Sequence, residues 1–170
     1  MKKQYLPCKK GFTLIELVLY MGILVLLIGV LSSIFSAIIS VQLDSTATSS
    51  VDQDGRYLLA KFTHDVASAS AILIPANPGD QTNTLQITIN SINYTYSLDS
   101  NNNLQVVNNS TNETNVLNSY DTTISGLTFT RIGSGGNNDT VQITYTVTSR
   151  IKDKTGQQET KNFTTTVGSE

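Results

Sequence analysis

Between Leu17 and Leu43 the chain runs 27 residues without a charged side chain, dense in Leu, Ile and Val. No other feature restricts the fold as severely. A helix needs about 20 consecutive apolar residues to cross the hydrocarbon core of a bilayer, so this stretch is long enough, and its hydropathy predicts a membrane span. Lys2, Lys3, Lys9 and Lys10 all precede it. Basic residues are retained on the cytoplasmic side, which places the N-terminus in the cytoplasm and the residues after Leu43 outside it. A secretory signal peptide has a similar basic start, but its apolar middle is only about 7–15 residues long. The run here is longer, although Ser32-Ser33 or Ser36-Ala37 could imitate a cleavage site.

A single carboxylate, Glu16, stands just ahead of the uncharged run. A carboxylate among lipid tails costs on the order of 2.5–3.5 kcal/mol on insertion scales. Two arrangements relieve that cost. Glu16 can sit near the interface and snorkel or protonate, or another chain can supply a cation to it. An ionisable residue at this depth is a functional-site hypothesis in its own right.

These residues carry a family resemblance. Gly11-Phe12-Thr13-Leu14-Ile15-Glu16, preceded by Lys9-Lys10 and followed by a long apolar helix, resembles the prepilin motif of type IV pilins and type II secretion pseudopilins. The resemblance implies that a prepilin peptidase cuts between Gly11 and Phe12 on the cytoplasmic side and that the new N-terminal Phe12 is N-methylated. Glu16 then becomes the fifth residue of the mature chain, where it is expected to pair with the N-terminal amine of a neighbouring subunit during assembly. The implied partners are the peptidase, other pilin or pseudopilin subunits, an inner-membrane assembly platform and membrane lipid. The implied location is the inner membrane first and an extracytoplasmic filament afterwards. The resemblance covers residues 9 to about 40. It departs from many major pilins in one respect: the segment has Gly22 and Gly29 but no proline. A helix-interior glycine costs up to about 1 kcal/mol, and these two read as close-packing or tolerated positions rather than a programmed melting site.

Cleavage would change the charge. The full chain has 11 basic and 13 acidic residues. The leader holds four lysines and no acid, so the mature chain would have 7 and 13, a net charge of −6. That balance is a poor basis for non-specific nucleic-acid binding, which depends on Lys and Arg against phosphate. The only cysteine, Cys8, lies in the leader, so the mature form has no thiol chemistry or disulfide. Cys8 also precedes the apolar segment, which argues against a lipid-anchor cysteine.

Beyond Leu43, Val51, Leu58, Leu59, Phe62, Val66 and Ala69 recur at three-to-four spacing, the stripe of an amphipathic helix. Arg56, Lys61 and Asp65 fall between them and are expected to face water or partners, with Lys61 and Asp65 spaced for an i,i+4 pair. Ser45-Thr46-Ala47-Thr48-Ser49-Ser50 is weak helix and reads as a flexible joint. Pro75 and Pro78-Gly79 end the helical region. Arg56 to Ala69 is loosely similar to the second half of the long helix in minor pilins, in particular the J-type pseudopilin and PilW-like group.

After Gly79 the period changes to two. Thr84 to Ile89, Ile92 to Leu98 and Val141 to Thr148 alternate as half-buried strands do, and Leu104 to Val107, Ile124 to Ile132 and Thr160 to Val167 also read as strands. Asn90-Ser91, Asp99 to Asn103, Gly133 to Asp139 and Lys154-Thr155-Gly156 are turn signals, and residues 108–120 read as loop. The expected fold class is α+β, a long N-terminal helix packed on a C-terminal antiparallel β-sheet of five or six strands. The expected divisions are a leader at 1–11, a membrane and assembly helix at 12–43, its amphipathic continuation at 44–74 and a sheet domain at 75–170.

No constellation announces catalysis, a cofactor or a metal. His64 is the only histidine and its neighbour Asp65 is not expected to face it. Asp99-Ser100-Asn101-Asn102-Asn103 opens like a calcium loop, but the sixth and twelfth places hold Leu104 and Ser110 instead of Gly and Glu. Asn137, Asn138 and Asp139 could offer oxygens to calcium, yet read first as a turn. Gly133-Ser134-Gly135-Gly136 lacks the lysine and helix of a phosphate cradle. Asn-x-Ser/Thr triplets at Asn93 and Asn162 are unremarkable in so Asn- and Thr-rich a chain. The expected function is therefore assembly of a pilin-like subunit, in a minor pilin or pseudopilin role, within a twitching pilus, a secretion pseudopilus or a DNA-uptake pilus. Two rival readings stand beside it. One is a filament-tip binding module or adhesin that uses the Asn/Thr-rich sheet and loops to recognise a surface, sugar or DNA, which a solvent-exposed aromatic platform would support. The other is a simple single-pass anchored domain that keeps its leader.

Overall fold

The computed structural model describes residues 11–132, 139–153 and 155–169. The leader expectations for residues 1–10, Cys8 included, the glycine-rich connection 133–138 and Lys154 lie outside the described residues. Two compact units are distinguished, one ending at Val41 and one beginning at Gln42. A single α-helix, α1, spans Leu14–Ala67 and contributes to both. Among the described residues nine strands follow: β1 Ala71–Ile74, β2 Gln81–Thr82, β3 Leu85–Ile89, β4 Ile92–Leu98, β5 Leu104–Asn108, β6 Glu113–Val116, β7 Thr122–Arg131, β8 Thr140–Lys152 and β9 Gln158–Gly168.

In the first unit the helix is apolar on every side. From Leu17 to Ile39 each residue is exposed, and an 18-residue window reaches a mean hydropathy of 2.7 with none of it buried. From Leu14 to Val41 the helix has 28 residues, about 42 Å at 1.5 Å per residue. That exceeds the roughly 30 Å hydrocarbon core. The helix runs unbroken through Gly22 and Gly29, and a Cβ added at either would meet no atom within 4 Å.

In the second unit the same helix becomes one-sided. Ala47, Val51, Leu58, Phe62 and Val66 are buried, and Leu59 is partly buried against the same core. The predicted stripe is therefore present through Val66, while Ala69, its last expected member, is buried beyond the end of the helix. The expected joint at Ser45 to Ser50 is instead continuous α-helix. Its hydroxyls do not compete for a non-helical path. Thr46 Oγ1 donates back to Gln42 O at 2.8 Å and Ser50 Oγ to Thr46 O at 2.9 Å, while Ala47 is packed inward.

The helix ends at Ala67, short of the expected Pro75, because Ala71–Ile74 pairs with β3 as a strand. The predicted single sheet is two antiparallel sheets: five strands in the order β1-β3-β4-β5-β6, and four in the order β2-β7-β8-β9. Within residues 108–120, read as loop, Glu113–Val116 pairs with β5 as an edge strand. Its four side chains are all exposed, so it carries no alternation to be seen. The β3–β4 hairpin turns at Asn90 and Ser91, both at positive φ (50° and 64°), the conformation of a two-residue turn matched to strand twist.

β8 shows the anticipated alternation, with Val141, Ile143, Tyr145, Val147 and Ser149 buried. β7 changes parity midway. Thr122 and Ile124 point inward, and then Leu127, Phe129 and Arg131 do. The register shift against β8 falls between Ser125 and Thr128, and Gly126 sits there at φ +60°. One extra residue at a bulge flips every later side chain to the other face.

Helix and sheets share one core. Phe62 on α1 lies 5.6 Å from the Tyr96 ring of the first sheet, 5.6 Å from Phe129 and 6.0 Å from Tyr145 of the second. The helix backbone comes close to the second sheet at Gly55, whose carbonyl accepts the Tyr145 hydroxyl at 2.8 Å. A Cβ built there would lie 2.0 Å from Phe163 Cζ.

Two outcomes follow for stability. Gly55→Ala gains helix propensity of about 1 kcal/mol but drives the Phe163 ring off its stack on Tyr145 (5.6 Å, 16°). Overpacking of this kind costs about 1–3 kcal/mol, so denaturant unfolding of the full chain in detergent should show net destabilisation, smaller in a Phe163→Leu background. The second concerns acid. Asp99 Oδ1 accepts the N–H groups of Asn103 and Asn101, each at 2.8 Å, and Oδ2 accepts the Asn103 amide at 2.9 Å. These bonds, that from the Asn103 backbone foremost, hold the Asp99 carboxyl below its ordinary value. A carboxyl lowered in the fold stabilises fully above its unfolded pKa of about 3.9 and loses that contribution as pH falls further. Asp99→Asn should flatten the acid limb of a stability–pH profile below about pH 4.

Candidate functional site

The residues singled out at the N-terminus come together on the first turns of α1. Thr13 precedes the first helical residue, and its Oγ1 accepts the Glu16 N–H at 3.3 Å. Thr13-Leu14-Ile15-Glu16 thus has the spacing of a helix-capping sequence, with the acid at the third helical position. That signal was legible in the sequence beside the resemblance. A carboxylate there also faces the positive end of the helix dipole. Glu16 Oε1 accepts the Tyr20 hydroxyl at 3.3 Å, and the Phe12 ring meets Tyr20 edge-on at 6.2 Å. Phe12, Glu16 and Tyr20 therefore form one row at i,i+4 spacing, with Phe12 exposed and Glu16 half-buried. Among the described residues no cation reaches Glu16.

A Cβ at Gly11 would meet no described atom within 4 Å.

In the second unit several polar residues behave differently from expectation. Asp65, expected to face outward, is buried. It accepts the Tyr96 hydroxyl at 2.5 Å and pairs with Lys61 at 2.9 Å. The i,i+4 spacing anticipated the lysine, but the tyrosine comes from a strand 31 residues away. Burial, reinforced by the Asp65 carboxylate, pushes the Tyr96 phenol well above its ordinary value, so it remains a proton donor. His64, not expected to face its neighbour, has Nδ1 3.2 Å from Asp65 Oδ1, though its side chain is largely exposed. Asp139, a possible calcium ligand by sequence, is buried and paired with Arg131 instead. Arg131 Nη1 also donates to the carbonyls of Ile72, Pro75 and Ala76 at 3.3, 3.1 and 2.6 Å. Asn137 and Asn138 lie outside the described residues.

Sequence reading overlooked Asp54 altogether. It is buried on α1 and its Oδ2 accepts Ser119 N–H at 2.8 Å, Ser119 Oγ at 2.7 Å and the Thr122 hydroxyl. Its place one residue before Gly55, on the inward stripe, was the available signal. Among the described residues no group of three or more His, Cys, Asp or Glu side chains is arranged to hold a metal ion.

Comparison with known protein families finds that residues 6–32 match the model described as "Prokaryotic N-terminal methylation motif". The match covers 27 of 170 residues and so speaks for the N-terminal segment rather than for the sheets. No curated protein and no solved structure matches the chain. The chain thus carries a type IV pilin-like methylation motif on an apolar helix, and such a motif implies processing by a prepilin peptidase.

Proposed function

We propose that the chain is a pilin-like assembly subunit, acting as a minor pilin or pseudopilin. Prepilin peptidase cleaves it between Gly11 and Phe12, the Phe12 amine is methylated, and α1 holds the subunit in the inner membrane until it joins a filament. Glu16 receives the N-terminal amine of a neighbouring subunit. One observation carries this reading: the methylation-motif match at residues 6–32 runs into a helix whose side chains from Leu17 to Ile39 are exposed and whose first turn holds a carboxylate, Glu16, ahead of 27 uncharged residues.

Physical chemistry supports each role. No described atom crowds a Cβ at Gly11, which fits a residue selected by an external protease rather than by packing. Glu16 has a hydroxyl donor in Tyr20 but no cation within the described residues, and a carboxylate at hydrocarbon depth is costly until a cation meets it. A neighbour's amine offers that charge. The exposed apolar sides of α1 suit lipid first and other helices afterwards, since small residues such as Gly22 and Gly29 allow helices to approach closely. The minor role rests on the likeness of Arg56 to Ala69 to the minor-pilin helix.

Processing is tested by the intact mass and N-terminal sequence of the protein from cells with and without the peptidase. A peptidase-dependent start at methylated Phe12 is expected, and a start at Met1 in both strains overturns the reading. Assembly is tested at Glu16. Glu16→Ala should be processed normally yet enter filaments about tenfold less or worse, as loss of a charge-assisted bond costs roughly 1.5–3 kcal/mol. Glu16→Gln keeps a capping acceptor without the charge and should fail similarly; normal incorporation of Glu16→Gln would remove the amine pairing.

A further inference from the structure

A surface cleft of about 390 Å3 lies among the turn before β5, the 117–121 connection and Arg150 of β8. Its size is within the roughly 300–1,000 Å3 of small-ligand sites. Tyr120 lines it and is 90% exposed, more than any other large apolar side chain among the described residues. A lone exposed aromatic is ordinary on a protein surface. The scaffold beneath this one is not.

Tyr120 stands between residues tied down on both sides. Ser119 and Thr122 are fixed to the buried carboxylate of Asp54 on α1. Asn118, also buried, accepts the Leu104 N–H at 2.7 Å and donates to the carbonyls of Ser119 and Thr122 at 3.1 and 3.0 Å. A satisfied buried network of this kind rigidifies what it holds. The turn therefore holds the backbone around Tyr120 in one place, so the ordering cost on binding falls mainly on the tyrosine side chain.

Apart from the exposed Val116, the rest of the lining is hydrogen-bonding and carries a single cation, Arg150. Arg150 is steadied by Nε on Thr122 O at 3.2 Å and by Nη2 on Asn103 Oδ1 at 3.1 Å. Its Nη1 group and the Asn101 side-chain amide have no partner among the described residues. An amide offers both donors and acceptors, and a guanidinium offers several donors. One arginine with Asp99 close enough to feel its charge is no phosphate track. A hydroxyl-rich ring with an apolar face suits this lining: the face for the rigid, amphipathic tyrosine, the hydroxyls for Asn101 and Arg150.

We propose that this cleft is a saccharide-binding site in which Tyr120 stacks on a sugar ring and Asn101 and Arg150 hydrogen-bond its hydroxyls. The site is independent of the assembly role at the N-terminus. It is tested with the full chain in a detergent free of sugar headgroups, passed over immobilised tetrasaccharides of glucose, galactose, mannose and N-acetylglucosamine. The wild type should be retained by at least one of them at millimolar concentration or below. Tyr120→Ala should weaken that binding about tenfold or more, Tyr120→Phe by less than about threefold, and Asn101→Ala by severalfold, as anchor residues outweigh their neighbours. An unchanged unfolding midpoint for Tyr120→Ala shows that the fold is retained. No retention of the wild type by any of the four sugars overturns the proposal, as does equal retention of Tyr120→Ala.

Discussion

Phe62 is the contact on which the second unit depends. It projects from α1 into rings supplied by both sheets, Tyr96 on one side and Phe129 and Tyr145 on the other. Neither sheet has another way to bury its inner face, since a sheet that is hydrophobic on one side must cover that side with another layer. The helix therefore acts as the common wall. Its stripe has to admit two surfaces at once, and this is why a residue without a side chain, Gly55, sits one turn before Leu58. There the helix backbone comes near enough for Tyr145 to hydrogen-bond its carbonyl and for Phe163 to occupy the space of a Cβ.

Around that apolar contact the polar residues act as fasteners. Asp54 and Asp65 lie on the buried face of α1, where an unpaired carboxylate would be expensive. Each is met by donors from the sheet domain: Ser119 and Thr122 for Asp54, Tyr96 for Asp65. Arg131 does the same for the chain leaving β1, collecting three carbonyls and the Asp139 carboxylate. Among the described residues no buried side-chain polar atom is left without a partner. These pairings define how the loops lie, and the turn that displays Tyr120 is one product of them.

The two stretches of α1 solve different problems with the same backbone. In a bilayer every backbone polar group must be satisfied within the segment, and a continuous helix does that without help, so side chains there are free to be apolar on all sides. Past Gln42 the helix adjoins strands, and only one face can be apolar. The serine and threonine run at the changeover stays helical, with Thr46 and Ser50 hydroxyls satisfied by carbonyls four residues back. A propensity argument alone misses this, because it counts those residues as competitors of the helix rather than as partners of it.

The sequence by itself determined what depends on local period and composition. The apolar span, the helical stripe from Val51 to Val66, the strands with strict alternation and the Asn90-Ser91 turn are all near-neighbour patterns, and so is the Gly11-to-Glu16 motif. Tertiary structure decided what depends on residues distant in sequence. The division into two sheets rests on strand pairing, and the β7 bulge at Gly126 on register against β8. The strand identity of Glu113–Val116 rests on its partner β5, because its own side chains all face solvent. By sequence Asp65 reads as an outward-facing acid, Asp139 as a turn residue able to offer oxygen to calcium, and Asp54 is not singled out, since a charged residue shows no inward role until its partner is known. Those partners lie between 8 and 68 residues away. No spacing rule reaches that far, because only the folded chain brings such donors within hydrogen-bond distance.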